Sequence, residues 1–137
     1  MKNLIYDILK FKLGEESYEY EHKIIPIPPY KFLENNLSLE PYEYFGEISS
    51  ILGYRIKQAI LYFNADILMR VELKYKGDIV LNLKSKLEES QLNFSSIMFL
   101  KLHFNQEENL SVLMYQKKTL NQKVIDLGSP KRGDVVV

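Results

Sequence analysis

The sequence predicts an α+β, β-rich domain: about seven mostly antiparallel strands in sequential hairpins, with one amphipathic helix at about 42–52 between the second and third strands. Three observations predict it. Turn-forming stretches recur at GEES (14–17), NAD (64–66), KGD (76–78), EES (88–90) and NQEEN (105–109). The runs between them have strand length, and most alternate apolar with polar residues, as a half-buried strand does. An all-β sandwich or barrel is the alternative arrangement of the same strands. Residues 1–127 read as a single domain and 128–137 as a C-terminal tail.

The first hairpin is expected over residues 4–27. A loop at 14–17 sets Leu13 against Tyr18, Phe11 against Tyr20 and Leu9 against His22. The other face then matches Lys12 with Glu19 and Lys10 with Glu21. Opposed apolar and opposed-charge pairs each stabilise a ladder by roughly 0.2–1 kcal/mol. Pro26, Pro28 and Pro29 end the second strand, because proline donates no ladder hydrogen bond.

The helix follows. Pro41 suits a first helical position, Tyr42, Phe45, Ile48 and Leu52 recur at helical spacing, and Gly53 suits the residue after the end. A short helical turn at 30–36 is a possible prelude, and Gly46 weakens the helix. Residues 55–63 show apolar residues in both alternating sets, the pattern of a strand buried on both faces.

The second hairpin is expected over 67–87. Val71, Leu73 and Tyr75 alternate with Arg70, Glu72, Lys74 and Lys76, and Ile79, Leu81 and Leu83 with Val80, Asn82 and Lys84. A loop at 76–78 pairs Tyr75 with Ile79, Leu73 with Leu81 and Val71 with Leu83. The third hairpin joins 97–104 to 110–116, pairing Phe104 with Leu110, Leu102 with Val112 and Leu100 with Met114. Its reverse face gathers Ile97, Phe99, Leu113 and Tyr115 into an apolar row that a helix or another subunit must cover.

Composition narrows the chemistry. The chain of 137 residues has no cysteine, which removes disulfides, thiolate metal sites and thiol nucleophiles. Residues 1–12 lack the uninterrupted apolar core of a signal peptide, and no segment has the length of a membrane span. A cytoplasmic location is the expectation. The net charge is zero, so the total does not favour nucleic-acid binding. The charge is nonetheless divided: residues 1–50 carry 9 acids against 5 lysines, and 51–137 carry 9 acids against 13 bases. Such a bipolar chain can associate head to tail.

Catalytic candidates are sparse. His22 and His103 are the two histidines, and neither sits in a metal-ligand spacing. The paired acids Glu15-Glu16, Glu88-Glu89 and Glu107-Glu108 fall in turn stretches, where carboxylates are ordinarily solvated. Lone glycines provide no phosphate loop. The sequence therefore implies no enzyme, no cofactor and no metal. Arg70, Lys74, Lys84 and Lys86 share the outward face of the expected second hairpin and form a weak candidate anion site, without exposed aromatics to stack bases.

The tail, GSPKRGDVVV, contains a tripeptide at 132–134 that adhesion receptors read, and three β-branched residues after it. Gly133 permits a hinge there, and Val135, Val136 and Val137 suit addition to an open sheet edge. The expected function is a non-enzymatic protein–protein interaction module, self-associating or an accessory of a larger assembly such as a phage-, virus- or secretion-type one. Its interface residues are Ile97, Phe99, Leu113, Tyr115, Val135, Val136 and Val137. The runner-up is a small-ligand-binding domain or enzyme with a pocket near His22 and the tyrosines.

Overall fold

The elements appear in the order α1 (Leu4–Leu9), β1 (Ile24–Pro26), β2 (Phe32–Glu34), β3 (Leu37–Tyr44), β4 (Ser50–Ile51), β5 (Tyr54–Arg55), β6 (Gln58–Asn64), β7 (Ile67–Lys76), α2 (Val80–Glu89), β8 (Phe99–Asn105), β9 (Leu110–Gln116) and β10 (Val135–Val136). They are seen in a computed structural model that describes residues 4–121 and the backbone of 135–136. Eight of the strands form one antiparallel sheet in the order β1-β3-β6-β7-β9-β8-β10, with β2 also pairing β3, and β4-β5 form a small separate ribbon. The β-rich, mostly antiparallel expectation holds, and no described helix is long and apolar enough to cross a membrane.

The two faces of the sheet follow from the register. Leu61 pairs with Val71, Val71 with Tyr115, and Tyr115 with Leu100, so these four share one face. All four are fully buried, in one cluster with Leu9 and Phe11 and with Val80, Leu83 and Leu87 of α2. The helices thus cover this face. The opposite face carries a second, smaller cluster of Leu39, Met69 and Leu120.

A bulge explains an otherwise odd run. Tyr62 pairs with Arg70 but Phe63 pairs with Leu68, so Met69 is the extra residue. A bulge lets two neighbours on one strand oppose one residue on the other. Leu68 then enters the main cluster while Met69 enters the smaller one, and Arg70 stands opposite Tyr62.

Three two-residue loops set hairpin registers. Asn35-Asn36, Leu52-Gly53 and Ala65-Asp66 all have positive φ at both positions, the twist that a tight hairpin needs. NAD was legible as a turn. ENNL, which closes β2 onto β3, lay inside the segment read as helical and was missed.

Several expectations are overturned. Residues 4–13 do not form a strand. Leu4–Leu9 is helical, with Ile5 and Leu9 buried one turn apart, and Lys10 at φ 74 breaks it. Leu9, Phe11 and Leu13 are buried in alternation, as the sequence implied, but the segment has no ladder partner at 18–22, where a 3-10 turn lies at Ser17–Tyr20. Its neighbour is β7: Gly14 N–H donates to the Leu68 carbonyl at 2.8 Å, and Leu68 N–H donates to Glu15 at 2.8 Å. Phe11 and Tyr20 do meet, with ring centroids 6.1 Å apart, through packing and not through pairing.

The helix expected at about 42–52 is instead the end of β3 and the β4-β5 ribbon. Pro41 fits a strand here because of its position. β2 pairs with 37–39 and β1 with 42–44, so Pro41 falls at the junction. A residue's N–H and C=O point to the same side of a strand. The Pro41 carbonyl accepts Ile27 N–H at 3.1 Å on that side, where the missing donor is not needed.

The second half of the expected second hairpin is the helix α2. The pairs Tyr75–Ile79, Leu73–Leu81 and Val71–Leu83 do not exist; β7 pairs with β6 and β9. Alternation of Ile79, Leu81 and Leu83 competed with Val80, Leu83 and Leu87 at helical spacing, and the second set is the buried one. Asp78 Oδ1 accepts Val80 N–H at 3.5 Å at the start, and Ser111 Oγ accepts Ile79 N–H at 2.8 Å while donating to the Gly77 carbonyl at 2.7 Å.

The third hairpin exists with its register moved by one. Leu102 pairs with Leu113 and Leu100 with Tyr115, around a four-residue loop at 106–109. Because both faces are apolar, the pattern alone does not select between registers. The loop does: Asn105 Oδ1 accepts Glu108 N–H at 3.1 Å, and Asn109 takes φ 54.

Candidate interaction surface

The border of the sheet next to β3 is built from β1, β2 and the proline-rich connection between them. Both strands are three residues long and lie outside β3, one on each half of it. Ile24, Phe32 and Glu34 are partly buried, whereas other side chains of the border remain in water. Ile25 is 50% exposed, Tyr30 59%, Leu33 75% and Phe45 57%. These are four of the eight large hydrophobic residues that the described surface exposes. Ile25 lies opposite Glu43 and Leu33 opposite Ser38, while Phe45 follows β3 directly and donates its N–H to the Lys23 carbonyl at 2.8 Å. Pro26, Pro28 and Pro29 are exposed beside them.

The border is fixed to the sheet by polar contacts. Arg70 is paired with Glu34 of β2, and its Nε donates to Gln116 Oε1 at 2.7 Å. The guanidinium also lies over the Tyr62 ring at 5.3 Å, a cation–π arrangement. Phe32 meets the same ring edge-on at 5.9 Å, and the Tyr62 hydroxyl donates to Glu72 at 2.7 Å. Burial, then the Glu72 charge, pushes the Tyr62 phenol above its ordinary range. Burial lowers Arg70, with Glu72 opposing that shift. Nearby, Asn35 Nδ2 donates to the Leu120 carbonyl, and Lys23 and Glu47 form an ion pair at 3.0 Å.

The candidate anion face does not assemble. Arg70 is buried and engaged by Glu34, Gln116 and Tyr62. Lys74 is on β7, on the face opposite the helices, whereas Lys84 and Lys86 belong to α2, which covers the other face. The expected strand at 79–84 placed them together, and its replacement by a helix separates them.

The expected apolar row also divides. Leu113 and Tyr115 are fully buried on the core face. Phe99 pairs with Gln116 and therefore faces the other way, half-buried. Ile97 is 40% exposed, between a 3-10 turn and β8. The one-residue register shift is the cause. Val135 and Val136 form β10 against Leu102 and Lys101 of β8, whereas Val137 and the expected hinge at 132–134 lie outside the described residues.

His22 is not in the core. It sits at φ 69 with its side chain 90% exposed, 4.0 Å from Glu21. His103 is half-buried opposite Val112, not Ser111. The tyrosines near the first segment are structural. Tyr20, Tyr44 and Phe11 pack mutually, with Phe11 and Tyr44 centroids 4.9 Å apart, and the Tyr20 hydroxyl donates to Glu15 at 2.5 Å. Among the described residues no group of three or more His, Asp or Glu side chains is placed to hold a metal.

No protein-family model matches the chain, and neither a curated protein nor a solved structure is significantly similar to it. The surface itself therefore carries the functional reading. Sequence reasoning missed the border because its residues were assigned to a strand end and a helix. The signal that could have found it is the density of prolines beside Ile25, Tyr30 and Leu33.

Proposed function

We propose that this chain is a non-enzymatic protein–protein interaction module that self-associates or docks as an accessory of a larger assembly. The observation that carries the reading is the β1–β2 border, where Ile25, Tyr30, Leu33 and Phe45 stand at least half in water. Single exposed hydrophobics are ordinary, but here Ile25, opposite Glu43, and Leu33, opposite Ser38, face opposite sides of β3, so a partner that covers both wraps around the border. A tyrosine beside aliphatic residues is also the composition enriched in interfaces. The Arg70–Glu34 ion pair ties β2 of this border to β7. Zero net charge does not oppose association.

Sedimentation of the intact chain over a range of concentrations tests the reading. The expected result is a concentration-dependent associated species that Leu33→Ser weakens while leaving the circular dichroism and melting temperature unchanged. Leu33 is the most exposed of the four, so its replacement does not disturb the core. A chain that stays monomeric at all concentrations removes self-association, and docking then requires capture by a distinct protein that Leu33→Ser abolishes.

A further inference from the structure

β6 and β7 run side by side from the Gln58–Lys74 pair to the Asn64–Ile67 pair, and opposite charges gather at their two ends. At the Ile67 end, residues 15–20 are fastened to the β6–β7 turn. Glu16 forms an antiparallel bridge with Ile67, Ser17 N–H donates to the Asp66 carbonyl at 2.7 Å, and the Ser17 hydroxyl donates to Asp66 Oδ1 at 3.4 Å. The exposed acids Glu16, Glu19 and Asp66 therefore share one end of the molecule. Tyr18 stands among them, 63% exposed. The Glu19 charge, then that of Glu16, raises its phenol above the ordinary range, as neighbouring carboxylates do.

Basic residues gather at the other end. Lys57 N–H donates to the Lys74 carbonyl at 2.7 Å, beside the first pair of β6 with β7. The β4–β5 ribbon lies at the same end, because the Tyr75 hydroxyl donates to its Ile51 carbonyl at 3.2 Å. Arg55 of the ribbon and Lys57 after it are exposed. Lys86 of α2 reaches the turn of the ribbon, its Cε 3.9 Å from the place of a Cβ on Gly53. Among the described residues none of Glu16, Glu19, Asp66, Arg55, Lys57 and Lys86 is in an ion pair. Lys12 and Lys117 lie by the acidic end, and Asp78 by the basic one next to Lys76 and Gly77. Glu107 and Glu108 sit on the β8–β9 loop, across β7 from Lys57. β7 has ten residues, a length of roughly 30 Å. Exposed charges are screened within about 8 Å at physiological salt, so the two ends do not neutralise each other in one molecule. Two molecules set end to end bring them into contact.

We propose that the acidic end of one copy docks on the basic end of a second copy, with Glu16 and Glu19 against Arg55 and Lys57, and Tyr18 laid on the Arg55 guanidinium. Charge complementarity selects the partner and its orientation. The tyrosine adds a contact that exposed ion pairs alone do not supply. The two surfaces differ, so the contact is heterologous and each added copy presents a fresh end to the next. The proposal rests on the reading of the chain as a self-associating module and adds an end-to-end contact to the β1–β2 border.

The test isolates this contact by placing Leu33→Ser in every chain. One full-length chain also carries Arg55→Gln and Lys57→Gln, and a second carries Glu16→Gln and Glu19→Gln. All the replaced side chains are exposed, and circular dichroism checks that both chains fold. Each is expected to sediment alone as a monomer, because each lacks one end. Their equimolar mixture is expected to form a dimer and nothing larger, because it retains one acidic and one basic end. That dimer dissociates when sodium chloride is raised from about 0.05 to about 0.5 M. Tyr18→Ala in the chain with the intact acidic end weakens it about tenfold. The proposal is overturned if the mixture sediments as its components do, or if the dimer is indifferent to salt. Either result leaves the border reading standing, since that depends on comparing the Leu33→Ser chain with the intact one. If those two associate equally while the mixture forms its dimer, the end-to-end contact stands and the border reading falls.

Discussion

The Tyr115 hydroxyl donates a hydrogen bond to the main-chain carbonyl of Phe11 at 2.5 Å, joining the segment after α1 to β9 across 104 positions of sequence. Both residues are fully buried. Among the described residues the segment around Phe11 pairs with no strand along its length, and this bond joins the contacts of Gly14, Glu15 and Glu16 with the start of β7 in fixing it. Tyr115→Phe removes the donor and leaves the Phe11 carbonyl without it in a dry environment. The expected cost is about 1–3 kcal/mol. It is read as a lower urea midpoint with unchanged slope, because the compactness of neither state changes.

Gly46 has a different constraint. It follows β3 and a Cβ there would overlap the Tyr44 hydroxyl, with the ring carbon Cε1 only 2.8 Å away. That hydroxyl accepts Ile48 N–H at 3.2 Å, and the ring is held edge-on to Phe11 and Tyr20. The clash is therefore with an aromatic group that has little room to yield. Gly46→Ala is expected to destabilise by about 1–3 kcal/mol, the range of overpacking in a core. Tyr44→Ala removes the ring that the Cβ would meet, so Gly46→Ala combined with Tyr44→Ala is expected to cost less than the sum of the two single variants, and thermal melts of the three measure the difference. Strictly additive losses refute this account.

What the sequence made legible was periodicity, and what it hid was choice between periodicities. Val71, Leu73 and Tyr75 alternate and are buried as expected, and the double apolar pattern of 55–63 became the two-sided strand β6. Ambiguity arose wherever two patterns shared residues. Leu83 belongs both to an alternating set and to a helical one, and the helix won because its residues Lys84, Lys86, Leu87, Glu88 and Glu89 are good helix formers. Tyr42 and Ile48 belong both to helical spacing and to a strand with its following turn. There the strand won, because β6 offered Tyr42 a partner at Leu61 that no local rule could reveal. The candidate surface was hidden for the same reason. Exposure of Leu33 and Ile25 depends on β1 and β2 being outer strands, which is a matter of sheet order and not of local pattern.

The buried phenols predict the behaviour of the fold in alkali. Burial, followed by the hydrogen bond and charge of Glu15, raises Tyr20 far above its ordinary range. Burial and Glu72 raise Tyr62, and burial raises Tyr75 and Tyr115. In the unfolded chain each of these groups ionises near pH 10. Below that pH both states hold the phenolic protons and these groups give stability no pH dependence. Above it the unfolded chain releases protons that the folded chain retains, so stability falls as pH rises. The neutral forms are held by burial rather than by screened surface charge, so added salt does not remove the effect. A titration followed by tyrosinate absorbance is expected to show Tyr20, Tyr62, Tyr75 and Tyr115 ionising together in a step later than that of tyrosine in an unfolded chain. That later step must coincide with loss of the β-sheet signal in circular dichroism. Ionisation of all ten tyrosines in one gradual transition, with the sheet intact, contradicts the burial of these phenols.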